Sequence, residues 1–364
     1  MMEIIDLTRK LVQFKTMHSK PGEIRQCAAY IQHYLRKLGV SFQRFDYGNA
    51  PALLAIPHGK KTPVLLMSHL DVVDAPDRLF NPVIQDGKLY GRGCLDDKYA
   101  VALSLILFKN NLHRLEKQEK AQKDLPFGIL ITSDEEIGGF NGAKKLLGEI
   151  QTDFCIVLDG GSVEKIVVKD KGVASVRLLS ADKRRLSGEH RIERDALETA
   201  KNDIARWKTY FVTSAPAHWH RKVICRAIQT TPSYQGLPEI VEAQLEIQYT
   251  ESDDLERMFT IMQRDLHSDI IIDHVAPKFD GGESEHLKRL LAISKKTRIG
   301  FEDGANDSRF LPGFGIKGII WGADGNRSQH TMDEHVDIES IYELYGFLDT
   351  FVRECQSMGE IGTL

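Results

Sequence analysis

Three short apolar runs in this chain each end in residues of the kind that bind metals. The runs are Pro63–Asp71, Phe127–Glu136 and Phe154–Gly161. Continuous hydrophobicity, without alternation, predicts strands of a parallel sheet, because such strands are buried on both faces. The carboxyl ends of parallel strands meet at one edge of an open α/β sheet, and ligands bind there. The sequence therefore predicts a histidine and several carboxylates gathered at one edge.

The residue types at this edge indicate the kind of ligand. Carboxylates gathered in one place repel one another unless protons or a cation neutralise them. A histidine with several acids and no cysteine thiolate suits zinc, manganese or a similar divalent ion. We therefore expect a metal-dependent hydrolase.

Composition excludes several other classes of protein. The net charge of -4 argues against general nucleic-acid binding, which needs a basic face. The five cysteines form neither a CxxC pair nor a disulfide framework, which favours a reducing, cytoplasmic compartment. We recognise no signal peptide and no apolar stretch that approaches the length of a membrane span, so we expect no membrane partner.

The order of predicted elements gives the fold class. Strand and helix alternate from about Val64 to Leu158, which predicts an α/β catalytic domain with a mixed, mostly parallel sheet flanked by helices. From Lys171 the order becomes β-α-β-β-α-β, which is the pattern of a ferredoxin-like α+β domain. We therefore predict a catalytic domain made from residues 1–170 and 283–364, with residues 171–282 inserted as a lid or dimerisation domain.

Two motifs predict parts of the metal centre. In His69-Leu-Asp71 the two polar side chains would face the same side of a strand, so Asp71 can hold the imidazole of His69 while its other nitrogen binds metal. In Gly91-Arg-Gly-Cys-Leu-Asp96-Asp97-Lys98 an acid lies where a helix begins, and its two oxygens can bridge two cations. Each motif also has a simpler interpretation when it is considered alone. The first is then a loop histidine beside an acid in a turn, and the second is the N-cap of a helix.

Three further acids and one histidine complete the set. In Asp134-Glu135-Glu136, neighbouring side chains on an extended segment point apart, so one glutamate can bind metal while the other acts as general base. Asp159 follows a buried run, and His330 follows an apolar strand. Separately these are a solvated acidic loop, a turn acid and a surface histidine. Their joint occurrence at strand ends favours a metal centre.

These motifs together resemble those of a known family. In family-like order and spacing, the chain contains His69-Leu-Asp71, Gly91-Arg-Gly-x-x-Asp96-Asp97-Lys98, Asp134-Glu135-Glu136-x-Gly-Gly, Asp159 and His330-x-x-x-Glu334. The chain closely resembles the co-catalytic di-zinc deacylases and peptidases. These include succinyl-diaminopimelate desuccinylase, acetylornithine deacetylase, carboxypeptidase G, the aminoacylases and the carnosinase-type dipeptidases.

The resemblance implies two divalent metal ions, with zinc expected and cobalt or manganese as alternatives. It implies that Asp96 bridges the two ions and that His69 and Asp159 complete one site. Glu136 and His330 would complete the other.

The resemblance also assigns the remaining groups of the reaction. Glu135 would be the general base and Asp71 would orient His69. The peptide bond between Asp96 and Asp97 would be cis.

The resemblance is weaker for substrate-binding residues. Gly304–Phe310 resembles a segment whose arginine, here Arg309, binds a substrate carboxylate. We include Asn306 of this segment as a second substrate contact, and an internal pair of Arg309 with Asp307 is the alternative. The family's lid histidine corresponds best to His190, which lacks the usual flanking proline.

Either His218 or His220 could serve in place of His190. A homodimer through the lid is a further implication of the resemblance. The family's Asp-x-Arg on the second lid strand reads Glu246-Ile-Gln248 here, which puts the family's standard substrates in doubt.

The leading hypothesis is an amidohydrolase that cleaves the amide of an N-acyl amino acid or a peptide-like small molecule with a free carboxylate. A dipeptidase or aminopeptidase of the same fold is the first alternative. A non-catalytic metal-binding protein is the second, although such a protein has no need of a general base.

Overall fold

The computed structural model describes residues 2–181, 195–210, 219–231 and 240–361. The chain divides into two compact units. The first spans Met1–Lys169, Asp280–Glu302 and Asn306–Leu364, and the second spans Asp170–Phe279 and Asp303–Ala305.

The helices of the described residues follow the apolar periodicity of the sequence. They are α1 Met2–Val12, α2 Pro21–Lys37, α3 Lys98–Glu116, α4 Ala143–Leu147, α5 Ala196–Tyr210, α6 Leu255–Asp265, α7 Glu285–Ile293 and α8 Ile338–Ile361. Within this part of the chain, no helix is both long and apolar enough to cross a membrane.

The strands of the described residues fall into three sheets. They are β1 Gln43–Tyr47, β2 Ala50–Ala55, β3 Lys61–His69, β4 Val83–Gln85, β5 Lys88–Tyr90, β6 Phe127–Thr132, β7 Gln151–Val157, β8 Lys165–Asp170, β9 Gly172–Ala181, β10 Lys222–Thr230, β11 Ile240–Tyr249, β12 Asp269–Ala276, β13 Phe279–Asp280, β14 Arg298–Glu302, β15 Lys317–Ile320 and β16 His335–Asp337. A small sheet of order β16-β5-β4 accompanies the two larger ones.

The central sheet has the order β1-β2-β6-β3-β7-β15-β8-β13, with β14 paired to β8. Strands β6, β3, β7 and β15 are mutually parallel, whereas β1, β2 and β8 join the sheet antiparallel. This mixed, mostly parallel α/β sheet confirms the predicted fold class. Every residue of β6 is buried, because the strand is covered on both faces.

Helix α3 lies in the core of the first unit. It contacts α1, α8, β3 and β6, and it is buried along almost its whole length. Its continuous apolar run ends at Phe108, but the helix continues to Glu116. Leu112 and Leu115 extend its apolar face past a short polar stretch.

The second unit is an antiparallel sheet of order β10-β11-β9-β12. Burial alternates along β9, because one face of the sheet packs into a core and the other does not. Trp207 of α5 and Met262 of α6 join Val176 and Leu245 in this core. The β-α-β-β-α-β chain order is present in the described elements.

A pair of tyrosines allows a test of how the first unit is held together. The Tyr99 hydroxyl donates to the carbonyl of Leu158 at 2.8 Å and accepts from the amide of Ala323 at 2.9 Å, so it joins α3 to the ends of β7 and β15. The buried Tyr34 hydroxyl has no hydrogen-bond partner among the described residues.

We predict that Tyr99→Phe destabilises the protein by about 1–3 kcal/mol, because it leaves a buried donor and a buried acceptor unpaired. Tyr34→Phe should be neutral or stabilising, since it removes an unpaired buried oxygen. Urea unfolding midpoints of both variants test the prediction, and equal midpoints would contradict it.

Candidate metal centre

The five predicted ligands lie where strands of the central sheet end, or in turns beside those ends. His69 is the last residue of β3, and Asp159 lies two residues past β7. Asp96 lies in the turn before α3, and Glu136 lies in a 3₁₀ turn after β6. His330 lies in the loop between β15 and β16. Residues distant in sequence are thus brought to one edge of the sheet.

The two oxygens of Asp96 face two different histidines. Its Oδ1 lies 2.9 Å from Nε2 of His69, and its Oδ2 lies 3.0 Å from Nε2 of His330. Nε2 of His69 is also 3.8 Å from Oδ2 of Asp159, and Nε2 of His330 is 3.2 Å from Oε2 of Glu136. The result is two groups of three ligands that share one carboxylate, and within each group the ligand atoms lie within 4.8 Å of one another.

The chemistry of these groups fits a pair of divalent cations. Nε2 of His69 is buried and makes no hydrogen bond with acceptable geometry to any described residue, as expected of an atom that binds a metal. Each group combines one imidazole with two carboxylates and contains no thiolate. Nitrogen and oxygen ligands of this kind suit zinc, cobalt or manganese.

The two groups differ in their exposure to solvent. The side chain of His69 is 2% exposed, whereas that of His330 is 49% exposed. The group of His69 is therefore enclosed, and the group of His330 opens to solvent.

Burial and mutual repulsion act on the carboxylates of this cluster. Burial, followed by the charge of Asp96, raises the pKa of Asp159 to about 8. The same two causes raise the pKa of Glu136. A cation between these groups would stabilise their ionised forms, because opposite charge favours the charged state.

Glu135 lies beside the cluster but belongs to neither ligand group of the described residues. Its side chain is 11% exposed, and its Oε1 lies 3.9 Å from Nη2 of Arg309. Burial, followed by the charge of Asp159, raises the pKa of Glu135 well above its usual range. Two adjacent glutamates thus occupy different positions.

The local structure that separates the two glutamates is a turn. We expected an extended strand end, but Glu135–Ile137 is a 3₁₀ turn. The carboxylate of Asp134 accepts the amides of Asn141 and Gly142 at 2.8 and 2.9 Å and closes the loop. Gly139 has φ +64°, and a Cβ there would lie 1.9 Å from Oδ1 of Asp307, so this position requires glycine.

Asp71 is buried behind His69 and connects two segments. Nδ1 of His69 lies 3.1 Å from the backbone oxygen of Asp71 and 3.4 Å from its carboxylate. The carboxylate also accepts the amides of Glu135 and Glu136 at 3.3 and 3.0 Å. Asp71 therefore contacts the imidazole as the motif predicted, and it also holds the turn of the two glutamates.

Glu334 stabilises the turn that carries Asp96. Its Oε1 accepts the amides of Gly93, Leu95 and Asp96 at 2.9, 3.2 and 3.2 Å. Its other oxygen pairs with the buried guanidinium of Arg92. The peptide bond between Asp96 and the next residue is cis, as the resemblance implied. The motif contained Glu334, but sequence reasoning gave this residue no role.

The predicted substrate residues have different surroundings. Arg309 is 7% exposed, and its Nε and Nη2 are buried without a hydrogen-bond partner among the described residues. Asn306 donates to the backbone oxygen of Asp159 at 2.7 Å and accepts the amide of Ser308 at 3.0 Å. Its amide thus holds the loop that carries Asp159, and sequence reasoning did not predict this contact.

The lid histidines give no geometry for the site. His190 and His218 lie outside the described residues, and His220 belongs to the second unit. The residue that sequence reasoning missed altogether is His18, whose Nε2 lies 3.0 Å from Oδ2 of Asp71. It lies between two helices and outside every motif, so no sequence signal marked it.

Comparisons with known proteins identify the family of this chain. The model of peptidase family M20/M25/M40 matches residues 65–354. N-fatty-acyl-amino acid synthase/hydrolase PM20D1 of Bos taurus is 33% identical over 173 residues, which cover 42% of this chain. The match spans only 32% of the length of that relative.

Solved structures share the fold. Aminopeptidase PepT of Bacillus cereus superposes with a TM-score of 0.72 at 18% identity, over 97% of this chain and 98% of its own. The YXEP protein of Bacillus subtilis, described as a dinuclear metal-binding peptidase of the M20 family, has a TM-score of 0.60 at 12% identity, over 96% and 97% of the two chains. Because the family model covers most of the chain, this protein belongs to peptidase family M20/M25/M40 and is a metallohydrolase of that family.

Proposed function

We propose that this protein is an amidohydrolase that cleaves the amide of an N-acyl amino acid, or of a peptide-like molecule with a free carboxylate. One observation carries the proposal. Glu136 belongs to a group of metal-type ligands, whereas its neighbour Glu135 lies beside that group with its carboxylate nearly enclosed. A metal-binding scaffold needs the first glutamate but has no use for the second.

We propose two divalent cations, with zinc the first choice and cobalt or manganese as alternatives. Asp96 would bridge them, His69 and Asp159 would hold one, and Glu136 and His330 would hold the other. Bound there, the ions would polarise the scissile carbonyl and the attacking water.

Glu135 would act as the proton carrier. Its carboxylate oxygen would accept the proton of the attacking water and then deliver that proton to the leaving nitrogen, which becomes an amine. Asp71 would keep Glu135 in place, because it holds the backbone of that turn. The enclosure of the carboxylate limits competing protons from solvent.

Arg309 would bind the free carboxylate of the substrate. Its buried Nε and Nη2, which have no hydrogen-bond partner among the described residues, are the two donors that a carboxylate can accept together. A substrate carboxylate bound there would lie close to Glu135, because Nη2 of Arg309 is 3.9 Å from Oε1 of Glu135. This arrangement favours substrates with the carboxylate near the scissile amide.

The acyl-amino acid and peptidase alternatives share this chemistry. The name of the relative PM20D1 gives N-fatty-acyl amino acids as its substrate class, whereas the structural neighbour PepT is an aminopeptidase. A panel of N-acetyl, N-succinyl, long-chain N-acyl and dipeptide substrates would separate the two.

We also propose that residues 171–282 form a lid or dimerisation domain. A homodimer through this domain and a cytoplasmic location are further proposals.

Exchanging each glutamate for glutamine tests the assignment of roles. Glu135→Gln keeps the shape and removes the base, so turnover should fall by about a hundred- to ten-thousand-fold with metal content nearly unchanged. Glu136→Gln should lower metal affinity, and excess zinc should partly restore its activity.

Turnover and elemental analysis of both variants provide the measurement. Metal loss in Glu135→Gln with retention in Glu136→Gln would mean that the roles are exchanged. If neither change affected hydrolysis of any amide, the proposed reaction would be wrong.

Removing single ligands tests the bridging role of Asp96. Protein purified without chelator and reloaded with zinc should approach about two equivalents, as a co-catalytic site requires. Asp96→Ala should lose both zinc ions together, whereas Asp159→Ala should weaken the binding of mainly one ion. Asp153, an exposed acid on β7, provides the matched control. The variant Asp153→Ala should bind as much zinc as the unmodified protein does. A wild-type plateau at one equivalent would exclude the dinuclear site.

Arg309 can be tested with a pair of substrates that differ at one group. For a substrate with a free carboxylate, Arg309→Met should lower kcat/KM by roughly 10- to 150-fold, the range for a lost hydrogen bond to a charged group. The same substrate with a carboxamide should show little further loss. Arg309→Lys should recover only part of the activity, because lysine cannot form the bidentate contact. Equal losses on both substrates would contradict carboxylate recognition.

A further inference from the structure

The segment between α1 and α2, residues 13–20, runs beside the segment that follows the ligand His69. We call residues 13–20 the connector. The hydroxyl of Thr16 in the connector donates to the backbone oxygen of Leu70 at 2.6 Å, and the backbone oxygen of Thr16 accepts the amide of Val72 at 3.1 Å. These contacts fix the connector on both sides of Asp71.

His18 of the connector contacts the carboxylate of Asp71 directly. Its Nε2 lies 3.0 Å from Oδ2, and its side chain is 28% exposed while that of Asp71 is fully buried. The same Oδ2 accepts the amide of Glu136 at 3.0 Å. Oδ2 of Asp71 thus contacts both the imidazole of His18 and the turn that carries Glu135 and Glu136.

Asp71 has few partners of comparable closeness. Among the described residues, the other contacts of its carboxylate are the amide of Glu135 at 3.3 Å and Nδ1 of His69 at 3.4 Å, which are long for hydrogen bonds. A buried carboxylate that loses a partner becomes costly and tends to move or admit water. Removing the donor at His18 would therefore disturb a side chain that contacts both His69 and the glutamate turn.

A second contact joins the connector to the other side of the centre. Nζ of the buried Lys98 donates to the backbone oxygen of Phe14 in the connector at 2.7 Å. Lys98 begins α3, directly after Asp96 and Asp97. The connector thus contacts both segments whose ligands face each other across the centre.

We propose that His18 is a positioning residue of the metal centre, which fixes Asp71 and through it the imidazole of His69 and the turn of Glu135 and Glu136. The proposal rests on the metal centre proposed above. It concerns a residue whose side-chain hydrogen bond, among the described residues, is to Asp71 and not to a ligand of the centre.

Three variants test this proposal. His18→Ala removes the donor, whereas His18→Gln keeps an amide nitrogen that can reach Asp71 in place of Nε2. Ser19→Ala is the matched control, because it removes a neighbouring connector hydrogen bond, from the Ser19 hydroxyl to Asp74 at 2.8 Å, that does not involve Asp71.

We expect His18→Ala to lower zinc affinity and kcat by about 10- to 100-fold, the usual cost of losing a residue that orients a metal ligand. KM should change little. His18→Gln should recover most of both losses, and Ser19→Ala should match the unmodified protein. Zinc affinity is measured by competition with a chromophoric chelator. The visible spectrum of the cobalt-loaded protein reports the geometry of the ligands.

Wild-type zinc affinity, cobalt spectrum and kcat in His18→Ala would overturn the proposal. Equal losses in His18→Ala and His18→Gln, in proportion to a lower melting temperature, would also overturn it, since they indicate general destabilisation. Zinc affinity and the cobalt spectrum need no substrate. They therefore test the positioning role even if the proposed hydrolysis is wrong.

Discussion

The shared carboxylate of Asp96 is the interaction on which the rest of the centre depends. One of its oxygens faces His69 and the other faces His330, so a single side chain belongs to both ligand groups. Both histidines come from segments far from Asp96 in sequence, and only the parallel sheet brings them together. A small displacement of this carboxylate would disturb both groups at once.

Two buried carboxylates outside the ligand groups restrict such displacement. Glu334 accepts three amides of the turn that carries Asp96, and Asp71 accepts two amides of the turn that carries Glu135 and Glu136. In both cases a charged acceptor satisfies backbone donors that an irregular turn leaves unpaired. A buried carboxylate thus fixes each of the two turns, and the carboxylate of Asp71 also contacts the imidazole of His69.

The different positions of the two glutamates follow from this support. Consecutive residues of the same type keep different positions only if the backbone between them is fixed, because either carboxylate could otherwise rotate into either position. The 3₁₀ turn, the contacts of Asp71 and the close approach of Gly139 to Asp307 provide that fixation.

The sequence by itself predicted the elements and the candidate ligands. Apolar runs with polar ends predicted β3, β6 and β7 closely, because burial on both faces leaves a continuous pattern, and the ends of those strands supplied His69 and Asp159 as candidates. The sequence could not predict the contact of His18 with Asp71, the turn at Glu135, or the nitrogens of Arg309 that lack a hydrogen-bond partner among the described residues. These depend on residues distant in sequence, whose distances are set by packing and not by local periodicity. Local pattern therefore determined which residues could form a metal centre, and the tertiary structure decided which atoms face one another, because only the folded sheet brings its strand ends within contact distance.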